Sequence, residues 1–229
     1  MNVAIVTVGD ELLAGRTVDT NATWLAERLT ARGCTVGRIT TLPDRVEDIA
    51  RVVNEYHAEY DAVIVTGGLG PTPDDMTMEG VAAAVGRETA HHEAAHEWLT
   101  EQGGYAADEL AAGTADLPEG ARMLPNEAGV APGAVVGSIY VLPGVPAEMK
   151  AMFESIAEAF AGPEIHTETV VTDEPESALV GRLEAVREEF AIDVGSYPGE
   201  SVRVTFSGTD RAAVERAAAW FEDRVEIVE

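Results

Sequence analysis

A chain of 229 residues with 46% apolar content is long enough for one substantial domain and a small second one, and too apolar to be disordered. Its 41 Asp and Glu against 15 Lys and Arg give a net charge of −26, which disfavours nucleic-acid binding because phosphates would be repelled. The single cysteine, Cys34, excludes an intrachain disulfide and a cysteine zinc cluster.

The acidity is spread along the chain, and Lys150 is the one lysine. Concentrated salt screens such self-repulsion, so this composition predicts the cytoplasm of a halophile. No apolar run approaches the roughly 18 residues of a membrane span, and the N-terminus lacks a signal pattern. We therefore expect a cytoplasmic protein with no membrane partner.

The first half of the chain alternates apolar segments with helical patterns. NVAIVTV predicts a strand covered on both faces, followed by a helix that Asp19 or Thr20 caps and Gly33 ends. CTVGRIT and AVIVT predict two more strands, with helices over DRVEDIARVVNEYHAEY and residues 76–85. This α/β alternation predicts a three-layer α/β/α, doubly wound, mostly parallel sheet, in which ligands bind outside the carboxyl ends of the strands.

The second half predicts the rest of this sheet and a further domain. A helical hairpin is expected over HHEAAHEWLTEQ and AADELAA, strands over ARMLP and GSIYVLP, and a helix over PAEMKAMFESIAEAF with Pro146 in its first turn. From residue 163 the segments IHTETVVT, ESALVGRLEAVREEF, ESVRVTFSG and DRAAVERAAAWFEDRV predict a strand–helix–strand–helix unit. We therefore divide the chain into a domain of residues 1–162 and a small α+β domain of residues 163–229.

The segment DAVIVTGGLGPTPDDMTMEG joins the third predicted strand to a helix. Its glycines let the backbone approach a ligand and turn N–H groups onto an anion, although the segment is neither a P-loop nor a dinucleotide fingerprint. One of Asp74 and Asp75 can cap the helix, but a second carboxylate beside a phosphate requires a divalent cation such as Mg²⁺. The alternative is a tight turn followed by a capped helix.

Two other loops are expected at the same edge of the sheet. Asp10 and Glu11 follow the first strand, and Gly144 precedes the helix that begins near Pro146, where free N–H groups attract anions. Lys150 either meets a phosphate or is an ordinary surface residue.

The segment HEAAH, from His92 to His96, matches the H-E-x-x-H pattern of zinc hydrolases, with Glu109 as a possible third ligand. Its flanks are polar, so chance occurrence on a solvated helix is the interpretation we favour over zinc catalysis. No G-x-S-x-G nucleophile elbow occurs in the sequence.

Four segments in order, VGDELLAGRTVDTNATWLAERL, TGGLGPTPDDMT, LPNEAGVAPG and LPGVPAEMKAMF, resemble the molybdopterin-binding (MoaB/Mog-like) domain at the N-terminus of CinA-type proteins. The remaining piece, with DVGSYPGESVRV, is similar to the small KH-like middle domain of CinA proteins but lacks the GXXG loop of RNA binding. The CinA C-terminal amidohydrolase domain has no counterpart here, so deamidation of nicotinamide mononucleotide is not expected.

The resemblance implies that this fold binds a pterin or nucleotide pyrophosphate at the segment of residues 67–75, called here the glycine loop. It also implies Asp75 and Asp44 as catalytic residues and Asp75 as the Mg²⁺ ligand. The ligand-binding residues it implies, together with those that the loops predict, are Asp10, Glu11, Thr66, Gly67, Gly68, Gly70, Thr72, Asn126, Gly144 and Lys150.

In CinA-type relatives this domain is associated with divalent-metal hydrolysis of ADP-ribose-like pyrophosphates, whereas Mog-like relatives transfer adenylyl groups to molybdopterin. We expect the pyrophosphatase, because Mog and MoaB proteins usually consist of the single domain. A molybdenum cofactor biosynthesis enzyme or molybdopterin-binding module is the alternative, and a zinc hydrolase a remote one. The expected partners are small molecules and further copies of the chain in a dimer or trimer.

Overall fold

The computed structural model describes residues 1–70, 72, 74–101 and 113–227, and the chain divides into two units. The first consists of Met1–Thr30 and Cys34–Gly162, and the second of Pro163–Glu229 with Ala31–Gly33. No helix among the described residues combines the length and the apolar character needed to cross a membrane.

A six-stranded sheet forms the centre of the first unit. The strands of this unit are β1 (Asn2–Val8), β2 (Thr35–Leu42), β3 (Ala62–Thr66), β4 (Thr89–His91), β5 (Asp116–Pro118), β6 (Arg122–Leu124), β7 (Gly133–Val136) and β8 (Ile139–Leu142). Its helices are α1 (Asp10–Leu13), α2 (Thr20–Ala31), α3 (Val46–Glu59), α4 (Thr77–Ala84), α5 (Glu93–Glu101) and α6 (Pro146–Ile156). The strand order is β2-β1-β3-β8-β7-β6, while β4 and β5 form a separate antiparallel pair.

The sheet is covered by helices on both faces, which confirms the predicted three-layer α/β/α fold. In β1, Val3 and Ile5 pack into one apolar cluster with the buried residues of α2 and α6. Ala4 and Val6 point to the opposite face and pack with α3 and α4. A strand buried on both faces has no polar alternation, which is why the sequence of β1 is a continuous apolar run.

Four neighbouring strands, β2, β1, β3 and β8, run parallel. Their carboxyl ends lie at the same level, because Val8 pairs with Leu42 and Thr66 pairs with Leu142. The loops that follow these strands therefore meet at one edge of the sheet, where ligands bind in folds of this type.

The helix ends agree with the sequence in two places. Asp19 caps α2, since its Oδ1 accepts a hydrogen bond from the Ala22 N–H at 2.9 Å. Pro146 is the first residue of α6, as predicted.

Other predicted elements differ from the structure. Strand β7, which lies between Pro132 and Gly137, was not predicted. It is short, and it depends on antiparallel pairing with β6 and β8. The predicted helix over HHEAAHEWLTEQ begins only at Glu93, since His91 lies in β4. The AADELAA helix lies outside the described residues.

The second unit is a three-stranded antiparallel sheet with two helices. Its elements are β9 (His166–Thr172), α7 (Glu176–Phe190), β10 (Asp193–Tyr197), β11 (Val202–Gly208) and α8 (Arg211–Glu222), with strand order β10-β11-β9. Strand β10 was not predicted, and it forms a hairpin with β11. Side chains of both helices and the sheet, among them Phe206 and Phe221, make a separate apolar core.

Candidate functional site

A cavity of about 250 Å³ opens at the edge where the parallel strands end. Its walls come from the loops after β1, β2, β3 and β8 and from the start of α2. The described residues that line this cavity, called here the carboxylate cavity, are Val8, Gly9, Glu11, Leu12, Thr17, Val18, Asp19, Thr20, Asn21, Asp44, Thr66, Gly67, Gly68, Asp74, Asp75, Gly144 and Pro146.

The glycine loop begins with a close approach of three strand ends. Gly67 has φ +111°, and a side chain there would collide with the carbonyl oxygen of Val8. Its N–H donates to the Leu142 carbonyl at 3.2 Å, so this amide is not available to a ligand. Amide contacts to an anion therefore have to start at Gly68, whose φ is +56°.

Two carboxylates flank this loop. A carbon in the Cβ position of Gly68 would lie 3.4 Å from Asp44 Oδ1, and one at Gly70 would lie 2.6 Å from Asp75 Oδ2. The glycines thus leave the space in which the two carboxylates approach the backbone of the loop.

The Asp44 carboxylate is partly buried at the start of α1. Its Oδ2 accepts a hydrogen bond from the Asp10 N–H at 2.8 Å. Burial raises the pKa of Asp44 above its ordinary 3.8, the Asp10 N–H opposes this shift, and the negative charges of Asp10, Glu11 and Asp75 add to it. Asp44 is therefore a carboxylate with an increased affinity for a proton.

Asp75 closes the glycine loop instead of capping α4. Its Oδ2 accepts hydrogen bonds from the N–H of Thr72 at 3.0 Å and from Thr72 Oγ1 at 2.5 Å. The N-cap of α4 is Met76, which makes no side-chain capping bond. The prediction that Asp74 or Asp75 caps this helix was wrong, because both precede the N-cap position.

The charged side chains that line the carboxylate cavity, among the described residues, are all negative. Five of its lining residues are acidic, and among the described residues no lysine, arginine or histidine lines it. Carboxylate oxygens are donors suited to Mg²⁺, which is commonly held by one or two of them together with substrate phosphates and water. The described part of the chain has no group of three or more His, Cys, Asp or Glu side chains arranged to hold a metal. The residues therefore fit a cation shared with a phosphate ligand, with Asp75 as its protein ligand, better than a cation bound by protein alone.

A second cavity of about 440 Å³ adjoins the first and shares Gly68 and Asp75 with it. The predicted residues Gly70 and Thr72 line this second cavity. Its apolar wall consists of Val46, Leu69, Met76, Met78, Leu117 and Pro132. Asp75 thus stands between the two cavities.

Three predicted site residues lie elsewhere among the described residues. Asp10 contributes its N–H to Asp44, but its side chain lines neither cavity. Asn126 is 1% exposed, and its Nδ2 donates to the Ala131 carbonyl at 2.9 Å and to Glu148 Oε2 at 2.7 Å, so it fixes its own loop. Lys150 lies over the Trp24 ring, 5.6 Å from the centroid, because the ammonium group is attracted to the aromatic face.

The sequence analysis missed the segment leading into α2 and a buried threonine. Asp19 was assigned only a capping role and Asn21 none, yet both line the carboxylate cavity. Thr77 is fully buried, and its Oγ1, which faces Gly68, has no hydrogen-bond partner among the described residues. The position of TVDTN just after the first strand and before a helix was the available signal for the first of these.

The histidines of HEAAH have other contacts. His92 precedes α5, with Nε2 at 3.2 Å from the Ala121 carbonyl and Nδ1 accepting from the Ala95 N–H at 3.4 Å. Both ring nitrogens of His92 are thus occupied by backbone groups, which argues against a zinc pair with His96. The possible third ligand, Glu109, lies outside the described residues.

Two family models match the chain, one over each unit. A family model described as "Probable molybdopterin binding domain" matches residues 4–167, and one described as "FAD synthase, middle domain" matches residues 164–228. A protein of Archaeoglobus fulgidus is 40% identical over 225 residues, which cover 97% of either chain.

Two relatives carry the CinA name. A CinA-like protein of Citrifermentans bemidjiense is 45% identical over 161 residues, covering 67% of this chain and 39% of the relative. The crystal structure of the protein CinA from Thermoplasma acidophilum, titled as having unknown function, is 35% identical with a TM-score of 0.65, and the match covers 70% of this chain and 99% of that one. The chain therefore belongs to the MoaB/Mog-like molybdopterin-binding domain family, and within it is CinA-like.

Proposed function

We propose that the chain binds a small molecule containing a pyrophosphate and hydrolyses that bond with the help of a divalent cation, Mg²⁺ being the ion that fits best. The observation that carries the proposal is the carboxylate cavity, in which a glycine loop lies between Asp44 and Asp75 with no basic side chain among the described lining residues. A phosphate there would be repelled unless a cation accompanied it. Metal-assisted hydrolysis of a phosphate ester or anhydride is the chemistry that such a site serves.

Each residue then has a role that follows from its surroundings. The backbone from Gly68 onward orients a phosphoryl group through N–H groups. Asp75, fixed by Thr72, would hold the cation, which when bound neutralises the phosphate and polarises the P–O bond.

In this proposal Asp44 accepts the proton of the attacking water. A water oxygen forms a bond to phosphorus, the bond from phosphorus to the bridging oxygen breaks, and the leaving phosphate keeps that electron pair. The water proton passes to Asp44, whose raised pKa suits a general base better than an ordinary aspartate.

The two adjoining cavities support a substrate with two arms. A pyrophosphate beside Gly68 and Asp75 would direct one half of the molecule into the carboxylate cavity and the other half into the second cavity, beside Met76 and Met78. ADP-ribose and FAD have this form, since a pyrophosphate joins their two halves. The family description of the second unit, "FAD synthase, middle domain", is a reason to include FAD.

The second candidate function is molybdopterin binding or adenylyl transfer to molybdopterin, and the description of the family that matches residues 4–167 favours it. The two candidates differ in the acceptor. Hydrolysis transfers the phosphoryl group to water, whereas adenylyl transfer requires molybdopterin and a nucleotide together.

The test is to incubate the chain with ADP-ribose, with FAD, and with molybdopterin plus ATP, each with Mg²⁺ or with EDTA. We expect mononucleotide release from ADP-ribose or FAD with Mg²⁺ and none with EDTA. Calorimetry should also show that Mg²⁺ binds weakly alone and more tightly with pyrophosphate, because no complete protein site exists among the described residues. Adenylylated molybdopterin without hydrolysis of the other two compounds would replace the first candidate by the second.

A further inference from the structure

Asn21 connects two distant parts of the carboxylate cavity. It lies in the first turn of α2, is 9% exposed and lines the cavity. Its Nδ2 donates to the Gly144 carbonyl at 2.7 Å, a contact between residues 123 positions apart. This bond fixes the loop between β8 and α6 to the start of α2.

The same loop is packed against the glycine loop. A carbon at the Cβ position of Gly144 would lie 3.2 Å from the Cα of Gly67, and Gly67 in turn lies against the Val8 carbonyl. Gly144 is therefore held between Asn21 on one side and Gly67 on the other. A shift of the Gly144 carbonyl would therefore displace Gly67, the first residue of the glycine loop.

The second polar atom of Asn21 is left unsatisfied. Its Oδ1 is buried and has no hydrogen-bond partner among the described residues. Buried polar groups without partners are rare in folded proteins, so the presence of an amide with an uncompensated acceptor at this position requires an explanation. Asparagine is also a mediocre helix former, which gives no local reason for it in α2. The bond to Gly144 is the contact that accounts for the residue.

We infer that Asn21 is a positioning residue, which holds the Gly144 loop and through it the glycine loop in the arrangement that receives a phosphate. The inference rests on the proposed function for the identity of the ligand. It adds that a side chain outside the glycine and aspartate motifs sets the geometry of the site.

The test uses Asn21→Ala and Asn21→Leu, which keeps the branched shape of Asn and loses the donor without adding a charge to the cavity. Asn54→Ala is the matched control, because Asn54 Nδ2 also donates at 2.7 Å to a backbone carbonyl, that of Ala84, away from the carboxylate cavity. Hydrogen exchange is followed in segments 66–70 and 143–146 of the free protein, and calorimetry measures the affinity for Mg²⁺ with inorganic pyrophosphate.

We expect both Asn21 variants to exchange about tenfold faster in the two segments, and to bind Mg²⁺–pyrophosphate about tenfold more weakly, because small misplacements of binding groups have large effects. Asn54→Ala should differ from the wild type by less than about twofold in both measurements. Thermal unfolding identifies a variant that has merely failed to fold, in which case Asn21→Ser replaces it.

Unchanged exchange in segments 66–70 and 143–146 would overturn the inference, as would faster exchange with unchanged affinity, since the bond would then be only structural. A wild type that binds no Mg²⁺–pyrophosphate overturns it together with the binding part of the proposed function. A wild type that binds but hydrolyses nothing defeats the hydrolysis alone and leaves the effect of Asn21 on binding to decide the inference.

Discussion

Carboxylates in the two units have opposite surroundings. In the first unit, Asp44 lies near three other carboxylates, and burial followed by their negative charge raises its pKa. In the second unit, hydrogen bonds from Arg182 and then from the N–H of Glu226 lower the pKa of Glu174. One carboxylate is thus disfavoured in its charged form and the other favoured.

The network around Glu174 has a structural task. Arg182 contacts both oxygens of Glu174, with Nη1 at 2.9 Å from Oε1, and also donates to the carbonyls of Ala178 and Arg224. The Glu226 N–H donates to Glu174 Oε1 at 3.0 Å. Residues after α8 are therefore tied to the loop before α7.

The comparison indicates what each cluster is for. A charge network that is fully paired, like that of Glu174, contributes to the folded state by itself. Carboxylates that repel one another reduce stability, and such arrangements are concentrated at functional sites where a ligand or ion completes them. Four predictions test this difference between the carboxylate cavity and the Glu174 network.

The largest effect is expected for Asp75→Asn, which keeps the shape and an acceptor for Thr72 but removes the negative charge. Turnover of ADP-ribose or FAD should fall about 100-fold or more, as when one key electrostatic group is removed from an active site. Steady-state rates with Mg²⁺ measure the effect.

Two controls accompany this variant. Asp48→Asn, on the surface of α3 beside Arg51, should keep wild-type turnover. Asp74→Asn should have a smaller effect than Asp75→Asn, because Asp74 is exposed and makes no side-chain bond in the described structure. Near-full activity of Asp75→Asn on every accepted substrate would make the loop structural and the proposed mechanism wrong.

Asp44→Asn should separate function from stability. We expect turnover to fall by about 100-fold, the lower end of what a general base contributes, since the proton acceptor is lost. The pKa of Asp44 is raised in the folded protein, so the stability tied to its protonation is present below the ordinary 3.8 and lost as pH rises through the folded value. The variant should therefore melt higher than the wild type at neutral pH, with the difference shrinking toward about pH 4. A lower melting temperature at neutral pH would contradict the assigned repulsion.

Salt should act on the first unit through the same repulsion. With a net charge of −26, we expect the melting temperature to rise by about 5 °C or more between roughly 0.1 M and 2 M KCl, because screening relieves repulsion among carboxylates. The gain should be smaller in Asp44→Asn. A melting temperature that stays flat or falls would remove the halophile interpretation.

The smallest effect is expected for Glu174→Gln, which breaks the paired network and should lower the melting temperature by a few degrees without changing turnover. The folded pKa of Glu174 lies below the ordinary 4.5, so its contribution is present above that value and lost as pH falls through the folded value. Wild type and variant should therefore converge in acid, as followed by circular dichroism. Equal melting temperatures at neutral pH would show that the pairing is not stabilising.

Periodicity and turn residues were enough to predict the layers of the first unit and the sheet edge that carries the candidate site. Unbroken apolar runs in β1 and β3 require cover on both faces, and the glycines and aspartates that follow β3 require a flexible acidic loop there. These features are local, because periodicity and turn chemistry depend on residues a few positions apart. In the second unit the same reasoning found both helices but missed β10, whose strand depends on pairing with β11.

Which side chains meet depends on how distant segments of the chain pack together. Asn126 was expected in the site and instead bonds to Glu148, while Lys150 lies over Trp24. Asn21, which lies in the first of the four family segments but was given no role, donates to Gly144 at the edge of the cavity. The partners in such contacts lie far apart in the chain: 22 positions in Asn126–Glu148, 123 in Asn21–Gly144 and 126 in Arg28–Glu154. The packing of whole helices on the sheet brings these partners together. A short segment of sequence cannot predict the distance between two loops that meet at the same edge of the sheet, because that distance depends on the packing of the whole domain.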